Sequence, residues 1–269
     1  MNPEARTKAI NTDFFILFPI YCDLFLGFAQ YEQASRGIQL IDSLGSNMRG
    51  VRMKNIELVI FDCDGVLVDS ETITSRVFSN MLSEQEVNVA LDDLFEMFVG
   101  QSSEKCVELT EKLLGCAPPE DFFHQLEKRV SVALENELVA IEGVQALLEA
   151  LHQRGIAYCV ASNGSHRKMS LTLGLTGLDP YFVGKAFSAH DVSHPKPAPD
   201  VFQMAAKTMN AQPENCLVVE DTPTGVKAGK AAGMTVAGFS LNTPSKRLEQ
   251  AGADFHFSAM GELFKIIAK

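Results

Sequence analysis

Phe61-Asp62-Cys63-Asp64-Gly65-Val66-Leu67-Val68-Asp69 places two carboxylates, two residues apart, just beyond the apolar run Ile56-Glu57-Leu58-Val59-Ile60-Phe61. That run is short and rich in β-branched and aromatic residues, so it predicts a buried parallel strand ending at Asp62. In open α/β sheets ligands collect in the crevice outside the carboxyl ends of the strands, where helix N-termini also point. A carboxylate there can attack phosphorus and form an aspartyl-phosphate, which splits one slow displacement into two easier ones. A second acid must protonate the leaving alkoxide and then activate the hydrolytic water. This reading makes Asp62 the nucleophile and Asp64 the acid/base, with Gly65 turning the backbone. Asp-x-Asp-Gly taken alone also suits an ordinary turn, so the choice falls to three further segments.

The first is Ile156-Ala157-Tyr158-Cys159-Val160-Ala161-Ser162-Asn163-Gly164, an apolar strand ending in a hydroxyl, an amide and a glycine. The Ser162 hydroxyl and the N–H groups of Asn163 and Gly164 can donate to phosphate, with a helix opening near Ser165 adding its positive end. A plain strand-to-helix turn is the competing account. The second is His194-Pro195-Lys196-Pro197-Ala198-Pro199-Asp200, where prolines on both sides of Lys196 fix the backbone. A bracketed lysine reads as a placed point charge for phosphate and for the aspartyl oxygen. Asp200 then starts a helix. The third is Asn215-Cys216-Leu217-Val218-Val219-Glu220-Asp221-Thr222-Pro223-Thr224-Gly225, a strand with two acids at its end. Mg²⁺ takes octahedral oxygen ligands and keeps several waters, so Asp62, the Asp64 carbonyl, Asp221, phosphate and water make a reasonable shell, with Glu220 acting through water. Either acid could instead serve the dipole of the following helix.

These four segments, in this order, resemble the haloacid dehalogenase-like hydrolase superfamily from about Met53 to Lys269. Its pattern of Asp-x-Asp-Gly, a strand-end Ser, a Lys before Pro-x-Pro-Asp and Glu-Asp-x-x-x-Gly matches Asp62/Asp64, Ser162, Lys196 and Glu220/Asp221/Gly225. The resemblance implies an α/β, Rossmann-like three-layer core with a parallel sheet, Mg²⁺ dependence and an aspartyl-phosphate intermediate. Some seventy residues separate Asp69 from Glu142, too many for a loop. Residues 70–141 therefore read as a small α-helical cap inserted after the first strand, with core segments 53–69 and 142–269. Thr72 to Leu82, Ser103 to Leu114 and Asp121 to Leu138 show helical spacing within it, with breaks at Gly100 and at Gly115-Cys116-Ala117-Pro118-Pro119. Further core elements are expected at Gly143 to Leu151, Pro223 to Ala232, Thr235 to Phe239 and Met260 to Lys269.

The cap position matches the helical-cap subfamily, which includes β-phosphoglucomutase and sugar-phosphate phosphatases. Asp64 argues against dehalogenation, since family dehalogenases lack an acid/base there. The mutase carries a cap histidine and a Lys-Gly-x-x-Arg loop where this chain has Thr74 and Val99-Gly100-Gln101-Ser102-Ser103. Hydrolysis is therefore preferred, and the whole pattern looks most like bacterial phosphatases of the 6-phosphogluconate phosphatase type. A β-phosphoglucomutase-like phosphotransferase is the alternative, followed by a silent phosphometabolite-binding member. Thr72, Arg76, Gln101, Ser102 and Ser103 are candidates for substrate contact, Arg76 for a substrate carboxylate.

The net charge of −11 excludes non-specific nucleic-acid binding and would repel an anionic substrate, so Mg²⁺ and Lys196 must reverse the field in the cleft. His166-Arg167-Lys168 could assist, although a solvated helix face is the preferred reading. The cysteines show no Cys-x-x-Cys spacing and read as reduced core filler in a cytoplasmic protein. The implied partner is a small phosphorylated metabolite, with neither nucleic acid nor membrane, and the state a monomer or weak homodimer. Residues 1–52 fit none of this. Asp13 to Ala29 is apolar but broken by Pro19 and Asp23 and too short to span a bilayer. The native start is expected at Met48 or Met53, with the preceding residues an upstream extension.

Overall fold

The computed structural model describes residues 56–98 and 103–267. The expectations placed on residues 1–52, on starts at Met48 or Met53, and on Gly100, Gln101 and Ser102 lie outside the described residues.

Six strands form one parallel sheet: β1 (Leu58–Phe61), β2 (Ala157–Ser162), β3 (Ala186–Ser188), β4 (Cys216–Glu220), β5 (Thr235–Phe239) and β6 (Phe255–Phe257), in the order β3-β2-β1-β4-β5-β6. The anticipated strands at 56–61, 156–162, 215–220 and 235–239 are all present, the first beginning at Leu58. β1 is central. Ile60 registers with Cys159 on one side and Val218 on the other. From β1 the chain builds outward through β2 and β3, then crosses to β4 on the opposite flank, so the order reverses beside β1. That reversal opens a crevice at the carboxyl ends of β1 and β4, the place such sheets offer to ligands.

Alternation along β1 divides the interior. Val59 and Phe61 join one apolar cluster, and Leu58 and Ile60 join the other. Among the described residues there are eleven helices: α1 (Ser70–Ser83), α2 (Leu91–Phe98), α3 (Ser103–Leu114), α4 (Phe122–Glu137), α5 (Val144–Gln153), α6 (His166–Leu175), α7 (Asp179–Phe182), α8 (Asp200–Thr208), α9 (Pro223–Ala231), α10 (Ser245–Ala251) and α11 (Met260–Ile267). Phe202 of α8, Val226 of α9 and Leu248 of α10 pack with Leu58 and Ile60, whereas Leu148 of α5 and Leu263 of α11 pack with Val59 and Phe61. Each such fully buried side chain contributes about 1.5–3 kcal/mol of transfer free energy. The result is the three-layer, Rossmann-like α/β arrangement.

Helices α1 to α4 fill the interval between β1 and β2. Their own packing centres on Phe78, which meets Phe98 edge-on at 5.2 Å and Phe122 at 6.3 Å. The chain leaves and re-enters the core through paired backbone. Val68 bridges Ala140, the Asp69 N–H donates to the Val139 carbonyl, and the Ile141 N–H donates to the Leu67 carbonyl.

Candidate active site

Asp62 follows β1 directly, and its N–H still donates to the Val219 carbonyl of β4, so its position is set by the sheet. Beyond it the chain curls back on itself. The Gly65 N–H donates to the Val68 carbonyl, and the Leu67 N–H to the Cys63 carbonyl. Gly65 has φ +73°, and a Cβ there would lie 2.2 Å from Asp221 Oδ2, so both conformation and space demand glycine.

Lys196 binds the site together. Its Nζ donates to Asp62 Oδ1 at 2.5 Å, Glu220 Oε1 at 2.7 Å and the Ala161 carbonyl at 2.9 Å, which uses all three ammonium hydrogens. The Lys196 N–H donates to Asn163 Oδ1, so the asparagine expected to offer a backbone donor also fixes the lysine's segment with its side chain. Burial alone would lower the Lys196 pKa, but Asp62 and Glu220 outweigh it and hold the ammonium above the ordinary lysine range. Asp62 is pushed up to about 8 by burial, against the pull of Lys196 and with help from Glu220 and Asp64.

Asp64 is held by two donors, Ser70 Oγ on Oδ1 and Lys168 Nζ on Oδ2, both at 2.6 Å. Here the structure corrects the solvated-face reading of 166–168 at Lys168 alone, since His166 and Arg167 are exposed. Lys168 lies in the first turn of α6 and is buried against Asp64, whereas the exposed His166 pairs with Asp191. Ser162 is buried at the end of β2, where its Oγ accepts the Gly164 N–H at 3.0 Å. Gly164 therefore spends on the serine the donor expected for phosphate, and the Ser162 hydroxyl hydrogen remains to be offered. A Cβ on Gly164 would sit 3.3 Å from Ser162 Oγ and 3.4 Å from Lys168 Cδ, so backbone and lysine approach closely there.

The two acids after β4 differ. Glu220 is fully engaged: Lys196 holds Oε1, and the Thr222 N–H and hydroxyl hold Oε2. Its carboxylate lies directly over Gly225, where a Cβ would meet Oε1 at 1.8 Å. Asp221 is also buried, yet neither of its oxygens has a hydrogen-bond partner among the described residues. Burial, followed by Glu220 and Asp62, raises its pKa well above the usual carboxylate range. One oxygen from each of Asp62, Glu220 and Asp221 falls within 4.8 Å of the others. A buried all-oxygen set with an orphaned carboxylate suits a hard divalent cation.

Arg76 is no free cation awaiting a substrate carboxylate, because its guanidinium pairs with Glu137 across α1 and α4. Thr72 is part-buried on α1, and Ser103 opens α3. Cys63 is a packed core residue, its thiol pushed well up by burial and then by Asp64 and Asp62. Glu71, which sequence reasoning passed over, is fully buried at the start of α1 beside this cluster.

Acids and lysines thus converge at the switch point of a parallel sheet, where such folds bind ligands. The chain belongs to the haloacid dehalogenase-like hydrolase family, whose model matches residues 56–233, and within it the chain is a phosphatase. The 6-phosphogluconate phosphatase of Escherichia coli (strain K12) is 35% identical over 216 residues, covering 79% of this chain and 96% of that protein. A conserved haloacid dehalogenase-like protein of unknown function from Agrobacterium tumefaciens str. C58 has a solved structure that matches with TM-score 0.73 and 33% identity, over 80% of this chain and 98% of that one. A family hydrolase from Deinococcus radiodurans R1, solved with bound phosphate and sodium, matches with TM-score 0.73 and 31% identity, over 79% and 95%.

Proposed function

We propose that this chain is a Mg²⁺-dependent phosphatase that hydrolyses a small phosphorylated metabolite, of the sugar-phosphate or 6-phosphogluconate type, through an aspartyl-phosphate on Asp62. One observation carries the reading: Asp62, at the end of the central strand, is oriented by Lys196 and stands within a few ångströms of an Asp221 carboxylate that has no protein partner. Asp62 attacks phosphorus while Asp64 gives its proton to the departing alkoxide. Asp64 then takes a proton from water as that water attacks the acyl-phosphate and releases free Asp62. Lys196 meets the negative charge on the phosphoryl oxygens, and the Ser162 hydroxyl donates to one of them. Asp62, Asp221 and the Asp64 carbonyl would hold Mg²⁺, with Glu220 behind them positioning Lys196. When bound, the cation supplies charge that keeps both carboxylates ionised and offsets that of the phosphate.

The helices between β1 and β2 act as a cap over the crevice, tethered by the paired backbone at 67–69 and 139–141. Thr74, at the position where the mutase carries a histidine, is buried and donates to the Ser70 carbonyl of its own helix, which supports hydrolysis over phosphoryl transfer. The resemblance of the chain to the 6-phosphogluconate phosphatase of E. coli fits a small acidic metabolite. Five free cysteines and the lack of any membrane-length apolar helix among the described residues fit the reducing cytoplasm.

The test is phosphate release from sugar phosphates, 6-phosphogluconate, nucleotides and β-glucose 1-phosphate, with Mg²⁺ or EDTA, for the wild type and Asp62→Asn. Release with Mg²⁺ alone, abolished in the variant, is expected. Glucose 6-phosphate formed from β-glucose 1-phosphate without phosphate release would establish a mutase, and undiminished turnover by Asp62→Asn would remove the aspartyl-phosphate.

A further inference from the structure

Glu71 is one of the most isolated ionisable groups in the described protein. It has no exposed surface, and neither carboxylate oxygen has a hydrogen-bond partner among the described residues. An unsatisfied buried carboxyl is costly, so such a group calls for an explanation. Its surroundings supply one. A Cβ placed on Gly65 would lie 2.2 Å from Asp221 Oδ2 and 3.1 Å from the Glu71 carboxyl carbon, so the two orphaned carboxyls flank the same glycine. No lysine is available to either: Lys168 is committed to Asp64, and Lys196 to Asp62 and Glu220. The buried carboxyls of Asp62, Asp64, Glu71, Glu220 and Asp221 outnumber the buried ammonium groups of Lys168 and Lys196 by three, so ionising them all leaves an excess that a divalent cation would largely cancel.

We propose that Glu71 is an outer member of the metal centre, its carboxylate accepting hydrogen bonds from water held by the cation and so anchoring that cation against Asp221. This rests on the metal-dependent reading given above. The cation that fits such a site retains several waters, and groups that orient a metal's ligands are commonly needed for tight binding. The enclosed position argues against a substrate contact, because Asp62 retains 8% exposure whereas Glu71 retains none. Glu71 is a positioning residue here and touches no reacting atom.

The experiment is Mg²⁺ binding to the purified full chain by isothermal titration calorimetry, for the wild type, Glu71→Gln, Glu71→Asp and Asp221→Asn. Thermal unfolding in EDTA and at one fixed Mg²⁺ concentration accompanies it. Wild type should bind and Asp221→Asn should not. Glu71→Gln should bind roughly 10- to 100-fold more weakly, with a correspondingly smaller Mg²⁺-induced rise in Tm. Glu71→Asp, one methylene short, should also lose affinity, and it decides the matter if the Gln variant fails to fold. Wild-type affinity in whichever variant folds, alongside lost binding in Asp221→Asn, would overturn the role of Glu71 and leave the phosphatase reading intact. The same holds if KM alone rises while Mg²⁺ affinity is unchanged, since that marks a substrate contact. No binding by the wild type would remove both readings together.

Discussion

Lys196 illustrates how much can rest on one side chain. Its ammonium is the only cation that touches both Asp62 and Glu220 among the described residues, so replacing it by Met strands two buried carboxylates. Removing one partner of a buried ion pair costs about 3–5 kcal/mol. Lys196→Met should therefore lower the urea unfolding free energy by about that amount and abolish phosphate release, and an unfolding midpoint equal to wild type would contradict the assigned contacts. The bracketing prolines make this lysine legible in the sequence, since a freely moving surface lysine needs no such frame. Lys168 is not legible in the same way. It sits among His166 and Arg167 in a polar run that resembles a solvated face, and only its place in the first turn, where side chains lean back towards the helix N-terminus, aims it at Asp64. Glu71 is hidden by a similar ambiguity, because an acid in the first turn of a helix ordinarily serves the dipole.

At the level of elements, four of the six strands follow from apolar runs bounded by turn residues. β3 and β6, each three residues long, are too short to show a period, and their place in the sheet is set by pairing with β2 and β5. α2 escapes for a related reason: its eight residues carry Leu91, Leu94 and Phe98 at helical spacing, but a loop reading before Gly100 competes equally well. Within the inserted helices the aromatic contacts of Phe78 with Phe98 and Phe122 hold three helices in one cluster. Phe78→Ala should cost about 3–5 kcal/mol, and hydrogen exchange should report the loss in α1, α2 and α4 while β1, β4 and β5 stay protected. Uniform loss of protection across the sheet would show that the insertion and the core unfold as one unit.

Across the whole molecule, the site stores electrostatic cost that the rest of the fold must offset. Asp62, Glu71 and Asp221 all have raised pKa values in the folded chain, with burial the largest cause in each. A raised carboxyl pKa contributes stability fully present below the unfolded value and lost as pH climbs through the folded one. In EDTA, Tm should therefore fall as pH rises from about 4 towards 8, the window given by Asp62 between its ordinary 3.8 and its folded value of about 8. Asp62→Asn should flatten that slope, and Mg²⁺ should restore Tm most strongly at the alkaline end. A Tm that climbs through this range in EDTA, in wild type and variant alike, would show that these carboxyls are not held protonated by their surroundings.

The paired backbone at residues 67–69 and 139–141 has a consequence for how such a protein can change over time. Because departure and return occur side by side, at Val68 and Ala140, the helices beyond Ser70 and Glu71 can be lengthened, shortened or exchanged without rewiring a single strand of the sheet. Asp62, Asp64, Glu220 and Asp221 lie on the sheet side of that seam, and α2 to α4 lie on the other. New specificity can then be acquired as an exchangeable cassette, while the chemistry is inherited unchanged.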